Sequence, residues 1–217
     1  NVFNLNTPLT VSGGSTTLTV RCDVSATKPS TGTFVIAAHQ PMQQGGLTVN
    51  IDTASSVPAG SQNVTLANIS LGTSNSTTAV NVRAIPLTIT AGSNGSVANL
   101  TGCSIRNATN QDVALSADTA ITNGSVTTFT LTNPFLVSAN TSAMLALICD
   151  VQPATAVGST FMIAIAPSNV TATNAATGAS ITPVAAVGRG PNGLPASTSG
   201  TVVVTAAGST PVPPADD

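Results

Sequence analysis

The 217-residue chain contains no Glu, no Trp and no Tyr, and only one Lys (Lys28), one His (His39) and four Arg. Each shortage excludes something. Without Glu and with almost no Lys, the residues that build most soluble helices are missing, which argues against an α-helical protein. Five basic side chains cannot form the cationic footprint that phosphate contacts require, so nucleic acid is excluded as a partner. One His and seven Asp leave little for general acid–base chemistry. A Ser-His-Asp triad would have to use His39, and no GxSxG elbow leads into a helix-like segment. His39 follows the alternating run Phe34–Ala38 and reads as a polar residue at a strand end. The three Cys lie too far apart for the closely spaced ligands of a zinc site. The Gly188–Gly193 run lacks the GK[ST] of a phosphate loop and reads as an exposed loop. The expectation is therefore a non-enzyme with no cofactor and no metal. Mean hydropathy is +0.35, yet no stretch approaches the roughly eighteen consecutive apolar residues of a membrane-spanning helix, so no transmembrane segment is expected.

What the chain does hold is Thr (35), Ser (23), Asn (18), Gly (18) and Pro (14), with Ala and Val scattered among them. Thr and Val favour strands, whereas Gly, Asn and Pro favour turns. Alternation is the main periodic signal. It runs through Leu18–Val24, Phe34–Ile36, Leu47–Ile51, Val64–Leu71, Val80–Ile89, Leu100–Ile105, Val113–Leu115 and Val126–Leu131. Phase slips near Asn68 and before Pro86 predict β-bulges. Met144–Val151 is apolar on both faces, as a central strand would be. Ser, Thr, Asn and Gly clusters separate these runs at the spacing of a β-sandwich, and no 3.6-residue stripe is present.

An internal repeat organises the chain. The segment Phe3–Ser12 reads like Phe129–Ser138, Leu18–Val24 like Leu145–Val151, and Thr33–Ala37 like Thr160–Ala164. Phe, Pro, Cys-Asp-Val and Thr-Phe-x-Ile-Ala recur in the same order. Gly46–Ile51 before Pro58 and Gly200–Val204 before Pro211 both read as the last strand of a domain entering a Pro-containing linker. The expected layout is all-β: tandem Ig-like β-sandwiches, the first incomplete at its N-terminus. Residues 1–57 would form the C-terminal half of one sandwich, 58–62 a linker, 63–207 a complete sandwich, and 208–217 a Pro-rich tail. The missing opening strands of the first unit belong before Asn1, as in a fragment or processed product. The alternative is that a neighbouring copy supplies them by strand complementation.

Cys103 and Cys149 fall in the same expected sandwich and are read as a disulfide across it, which implies an oxidising, extracytoplasmic setting; the alternative is two buried thiols. Cys22 repeats Cys149 and would be unpaired or intermolecular. Nine N-x-S/T sequons are present, a modest excess for so Asn-, Ser- and Thr-rich a chain. Asn75, Asn94, Asn107, Asn123, Asn140 and Asn169 are the candidate N-glycosylation sites, whereas Asn68 and Asn99 sit within expected strands. Asp112 and Asp118 lack the clustered carboxylates that calcium needs. Asp23 and Asp150, each following a repeated Cys, are expected to accept backbone N–H bonds at strand ends.

The order of these segments suggests a family. Asn63–Ile69 leads to Val80–Leu87, then Ala98–Ile105, Thr128–Leu131, the apolar strand into Cys149-Asp150-Val151, and Asn169–Thr173 with Thr177-Gly178. This resembles the repeated Ig-like domains of large bacterial cell-surface and S-layer-type proteins, notably those of small-genome candidate-phylum bacteria. Such domains usually carry more acidic residues where Thr73-Ser74-Asn75-Ser76 stands here. The resemblance implies a secreted, repetitive, structural or adhesive role and carries no catalytic residues. The expected function is thus a self-assembling subunit of a surface layer, stalk or filament, partnered by copies of itself. An adhesin or carbohydrate-binding module is weaker, because sugar sites generally use aromatic platforms and the five Phe fall mostly at core positions. A viral capsid, tail or decoration protein shares the same low-charge design.

Overall fold

The computed structural model describes residues 46–73, 76–186 and 197–208, all within one compact unit, Pro41–Asp217. Its strands are β1 (Thr48–Thr53), β2 (Ser56–Pro58), β3 (Val64–Gly72), β4 (Val80–Ala91), β5 (Leu100–Asn107), β6 (Val126–Val137), β7 (Ser142–Val151), β8 (Thr160–Ile165), β9 (Thr171–Asn174), β10 (Ser180–Ile181), β11 (Val184–Ala185) and β12 (Ser199–Thr205). Single 3-10 turns at Val97–Asn99 and Pro167–Asn169 are the helical elements among the described residues. Sheet 1 has the order β11-β1-β3-β7-β5. Sheet 2 has the order β10-β9-β4-β8-β12-β2, with β6 also paired to β4. Pairing is antiparallel except for β1 with β11 and β12 with β2. The two sheets pack as a β-sandwich, in line with the expected all-β class. The repeat partners in residues 1–45, together with Cys22, His39, Lys28, Asn75, Arg189 and the Gly188–Gly193 run, lie outside the described residues.

Alternation fills the space between the sheets. Leu47, Val49, Ile51, Ile69, Leu71, Ile105, Leu145 and Leu147 point inward from sheet 1. Ile85, Leu87, Ile89, Phe129, Phe161, Ile163, Val202 and Val204 meet them from sheet 2. Such inner faces interdigitate across a core about 10 Å thick. The central strand read at Met144–Val151 is β7, paired to β3 on one side and β5 on the other.

The segment expected to close a preceding domain is instead part of this sandwich. β1 pairs along its whole length with β3, from Thr48 opposite Gly72 to Thr53 opposite Ala67. The chain then switches sheets, and β2 adds beside β12. Residues 58–62, expected as a linker, are held in place: the N–H of buried Ala59 donates to the Thr205 carbonyl at 3.0 Å, and the Val151 N–H donates to Ser61 at 2.8 Å. The sandwich read as 63–207 therefore includes residues 46–58 as well. Alternation in Leu47–Ile51 reveals which side chains are buried, not which sheet they are buried against.

The phase slips are real and lie slightly off their expected places. Leu66 is the extra residue between Thr65, opposite Ile148, and Ala67, opposite Leu147. Arg83 is the extra residue in β4 opposite β9, whereas opposite β6 the excess lies in β6, where residues 131–134 stand between the partners of Ala84 and Val82. A third bulge was not foreseen: Gly102 and Cys103 together oppose Cys149, between Thr101 opposite Asp150 and Ser104 opposite Ile148. Gly102 has φ +57°, the left-handed conformation that the first residue of this kind of bulge adopts. That bulge seats the disulfide. Cys103 and Cys149 are bonded, with Cα atoms 4.1 Å apart, and both are fully buried. The bridge joins neighbouring strands of sheet 1 rather than crossing between the sheets, because β5 and β7 are adjacent.

Two expected strands differ in detail. Val113–Leu115 makes only isolated bridges, at Ala114 to Arg106 and at Ser116 to Leu131. Val126 is 59% exposed, and the inward register of β6 runs through Thr127, Phe129 and Leu131. Pro86 sits within β4 where neither β8 nor β9 pairs with it, so its missing N–H breaks no ladder on that side.

Candidate interaction surface

With so few charges, hydroxyls satisfy the buried polar groups. Thr73 Oγ1 lies 2.5 Å from the Ser138 carbonyl and 3.0 Å from that of Thr141. Ser116 Oγ accepts the Ile105 N–H at 2.9 Å and donates to the Ala117 carbonyl at 3.1 Å. Ser159 Oγ donates to the Asn94 carbonyl at 2.8 Å. Among the described residues no buried side-chain N or O atom lacks a partner. These short side chains do the structural work inside and leave the outer faces to set contact properties.

Part of the outer face of sheet 1 is covered by a polar arch. Arg106, from β5, reaches across β7 and donates from Nη2 to Asn63 Oδ1 at 2.7 Å, from Nη1 to the Gln111 carbonyl at 3.2 Å, and from Nε to Ser104 Oγ at 3.4 Å. Gln111 Nε2 donates to Thr65 Oγ1 at 3.1 Å. Beneath this arch Ile148, on the outer side of β7, is 1% exposed. Asp150 Oδ1 accepts the Asn63 N–H at 2.7 Å, the strand-end role expected for it.

The outer face of sheet 2 is open and nearly uncharged. Register places Val126, Thr88, Ala164 and Ser199 in one row across β6, β4, β8 and β12. The next rows are Thr90, Met162 and Thr201, then Thr160, Val203 and Ser56. Val126, Met162 and Val203 are exposed apolar residues set among hydroxyls. Arg83, exposed at the β4 bulge, is the one charged residue in the strands of this sheet. Within the described residues the other charged groups are Asp52, Arg106, Asp112, Asp118 and Asp150, in sheet 1 or its loops.

The remaining sequence-singled residues are spread out. Asn94, Asn123, Asn140 and Asn169 are exposed in turns, Asn94 and Asn140 at positive φ. Asn123 Oδ1 accepts the Ala91 N–H at 2.8 Å. Asn107 is half-buried and accepts from Thr109 N–H and Oγ1 at 3.0 and 2.7 Å, a local turn closed by its own sequon. Asn99 ends a 3-10 turn rather than lying in a strand. Asp112 and Asp118 are both exposed, and among the described residues no three His, Cys, Asp or Glu gather as a metal site would require. Asp118 borders an open cleft of about 360 Å³ lined by Leu100, Thr101, Gly102 and Ile121. Among the described residues no helix is long and apolar enough to cross a membrane.

No family model and no curated protein matches the chain. Among solved structures it is similar to the sixth cohesin of scaffoldin B from Acetivibrio cellulolyticus, solved with a dockerin, at 16% identity and a TM-score of 0.32. That match covers 74% of this chain and 99% of the cohesin chain. It is also similar to a DUF4466 family protein from Parabacteroides merdae, at 13% identity and a TM-score of 0.31, covering 64% of this chain and 45% of the other.

Proposed function

We propose that this chain is a non-catalytic extracellular structural protein whose sandwiches pack against copies of themselves in a surface layer, stalk or filament. The observation that carries this reading is the outer face of sheet 2, a broad Thr-, Ser- and Ala-surfaced sheet with exposed Val126, Met162 and Val203 and a single charge. Lateral packing of such faces meets little electrostatic repulsion, and the exposed methyl groups gain from burial. The buried disulfide suits an oxidising compartment. The same reading takes the exposed Asn94, Asn123, Asn140 and Asn169, with Asn107 and Asn75, as glycan acceptors. Cys22 then remains for a bond to a neighbouring chain.

Negative-stain imaging of the concentrated full chain is expected to show ordered sheets or fibres. Because the packing face carries only one charge, raising the salt from about 0.05 to about 0.5 M should change assembly by less than about twofold. A monodisperse monomer at high concentration would overturn the reading.

A further inference from the structure

The sulfur atoms of the chain, in three Cys and in Met42, Met144 and Met162, are the places where oxidation acts. Cys103 and Cys149 are already bonded to each other and fully buried. Met144, on β7 opposite Ser70, is half-buried. Met162 is 45% exposed on the outer face of sheet 2. Cys22 and Met42 lie outside the described residues. Among the described residues Met162 therefore carries the sulfur most open to solvent.

Its place on the sheet matters as much as its exposure. β8 lies between β4 and β12, and register sets Met162 between Thr90 and Thr201. Along β8 its neighbours on the same face are Thr160 and Ala164. All four are shorter side chains, so Met162 is the one that reaches furthest from this part of the face. Arg83 stands toward the other end of β4 from Thr90, away from this spot. A long, unbranched, polarizable side chain among hydroxyls and methyl groups adapts to whatever surface is laid on it.

We propose that Met162 is an oxidation site that controls the packing of sheet 2 against a second copy: the thioether favours the contact and the sulfoxide opposes it. This gives the self-assembly reading its regulation and rests on it. A second copy is the occupant because a face with one charge meets little repulsion from its own image. The chemical step is oxygen transfer from a hydroperoxide. The Met162 sulfur attacks the terminal peroxide oxygen, the O–O bond breaks, and the sulfur gives up two electrons as the S–O bond forms. The proton of the transferred oxygen passes to the departing oxygen, which leaves as water or as an alcohol. The side chain that was apolar is now polar, and burying its oxygen strips off water. The hydroxyls of Thr90 and Thr201 can donate to that oxygen, but they can do so equally in the free molecule, so those bonds do not favour assembly. The coupling is reciprocal: if oxidation disfavours the packed face, packing shields the sulfur from peroxide.

The test is sedimentation of the full chain over a concentration series, before and after mild hydrogen peroxide treatment. Mass mapping follows each Met, and Met162→Leu and Met162→Gln are run alongside, with thermal unfolding to check that every sample is folded. In the dilute wild type Met162 should oxidise before Met144, and in the assembled sample it should oxidise more slowly than in the dilute one. Oxidation at Met162 should weaken association by at least about tenfold, the equivalent of about 1.4 kcal/mol. Enzymatic reduction of the sulfoxide should restore association. Met162→Leu, apolar and of similar volume, should assemble as the wild type does and go on assembling after peroxide. Met162→Gln, polar at similar length, should assemble weakly without any peroxide. If the chain oxidised at Met162 assembles as the untreated chain does, the proposal fails, although self-assembly stands. If peroxide disrupts Met162→Leu as strongly as the wild type, another residue is responsible and the proposal fails. If Met162 resists peroxide at every dilution, the chain's own residues cover it and the proposal fails. A wild type monomeric at all concentrations overturns both this proposal and the reading beneath it.

Discussion

Gly102, Arg106 and Asp150 show how single residues carry weight in a chain with few charges. Gly102 holds φ +57°, and a Cβ there would stand 3.2 Å from Asp150 Oδ2. Gly102→Ala should lower stability by about 1–2 kcal/mol, the usual penalty of a left-handed backbone for an L side chain, read as a shift of the urea midpoint. Arg106 and Arg83 are both strand arginines and should behave oppositely. Arg106→Ala removes three side-chain bonds above Ile148 and should cost about 1.5–3 kcal/mol. Arg83→Ala, at an exposed bulge, should stay within about 0.5 kcal/mol. Equal effects in thermal unfolding would mean that the arch does not stabilise sheet 1. Asp150's role was legible because Asp follows the repeated Cys; Arg106's was not, since its partners Asn63 and Gln111 lie 43 and 5 positions away in sequence.

At the scale of elements, the bulges decide more than the alternation does. Slips in hydrophobic phase betray the bulges of β3 and β4, because an added residue moves every later side chain to the other face. The β5 bulge leaves a weaker trace, a three-residue step from Leu100 to Cys103, yet it sets Cys103 against Cys149. Closing a loop between residues 46 positions apart removes about 4 kcal/mol of unfolded-state entropy in the chain model. The Cys103→Ala/Cys149→Ala double variant should therefore keep its far-ultraviolet circular dichroism, since the β5–β7 ladder remains, while its Tm falls steeply. An unchanged Tm would show that the bridge adds nothing. Phe161→Ala, at a fully buried position of β8, should cost about 3–5 kcal/mol.

At the scale of the molecule, few basic residues and dense pairing imply resistance to trypsin. Arg83 lies in β4 and Arg106 in β5, strands that are paired to neighbouring segments on both sides. Limited proteolysis should spare both and cut first at Arg189, since Lys28 precedes Pro29 and trypsin does not cut a Lys–Pro bond. Early cleavage after Arg83 would mean that β4 opens readily.

The sequence by itself determined the class of this protein: alternating Val, Ile and Leu against Ser, Thr and Asn can fold only as strands with one face dry, and the missing Glu, Lys and aromatics leave outer faces nearly without charge. It also identified the cysteine pair. The tertiary structure decided where those strands go. It paired Leu47–Ile51 with β3 inside the same sandwich, put the disulfide inside one sheet and turned Val126 outward. Burial periodicity is a property of a strand alone, whereas pairing partners depend on residues far away in the chain, and a period of two carries no record of them.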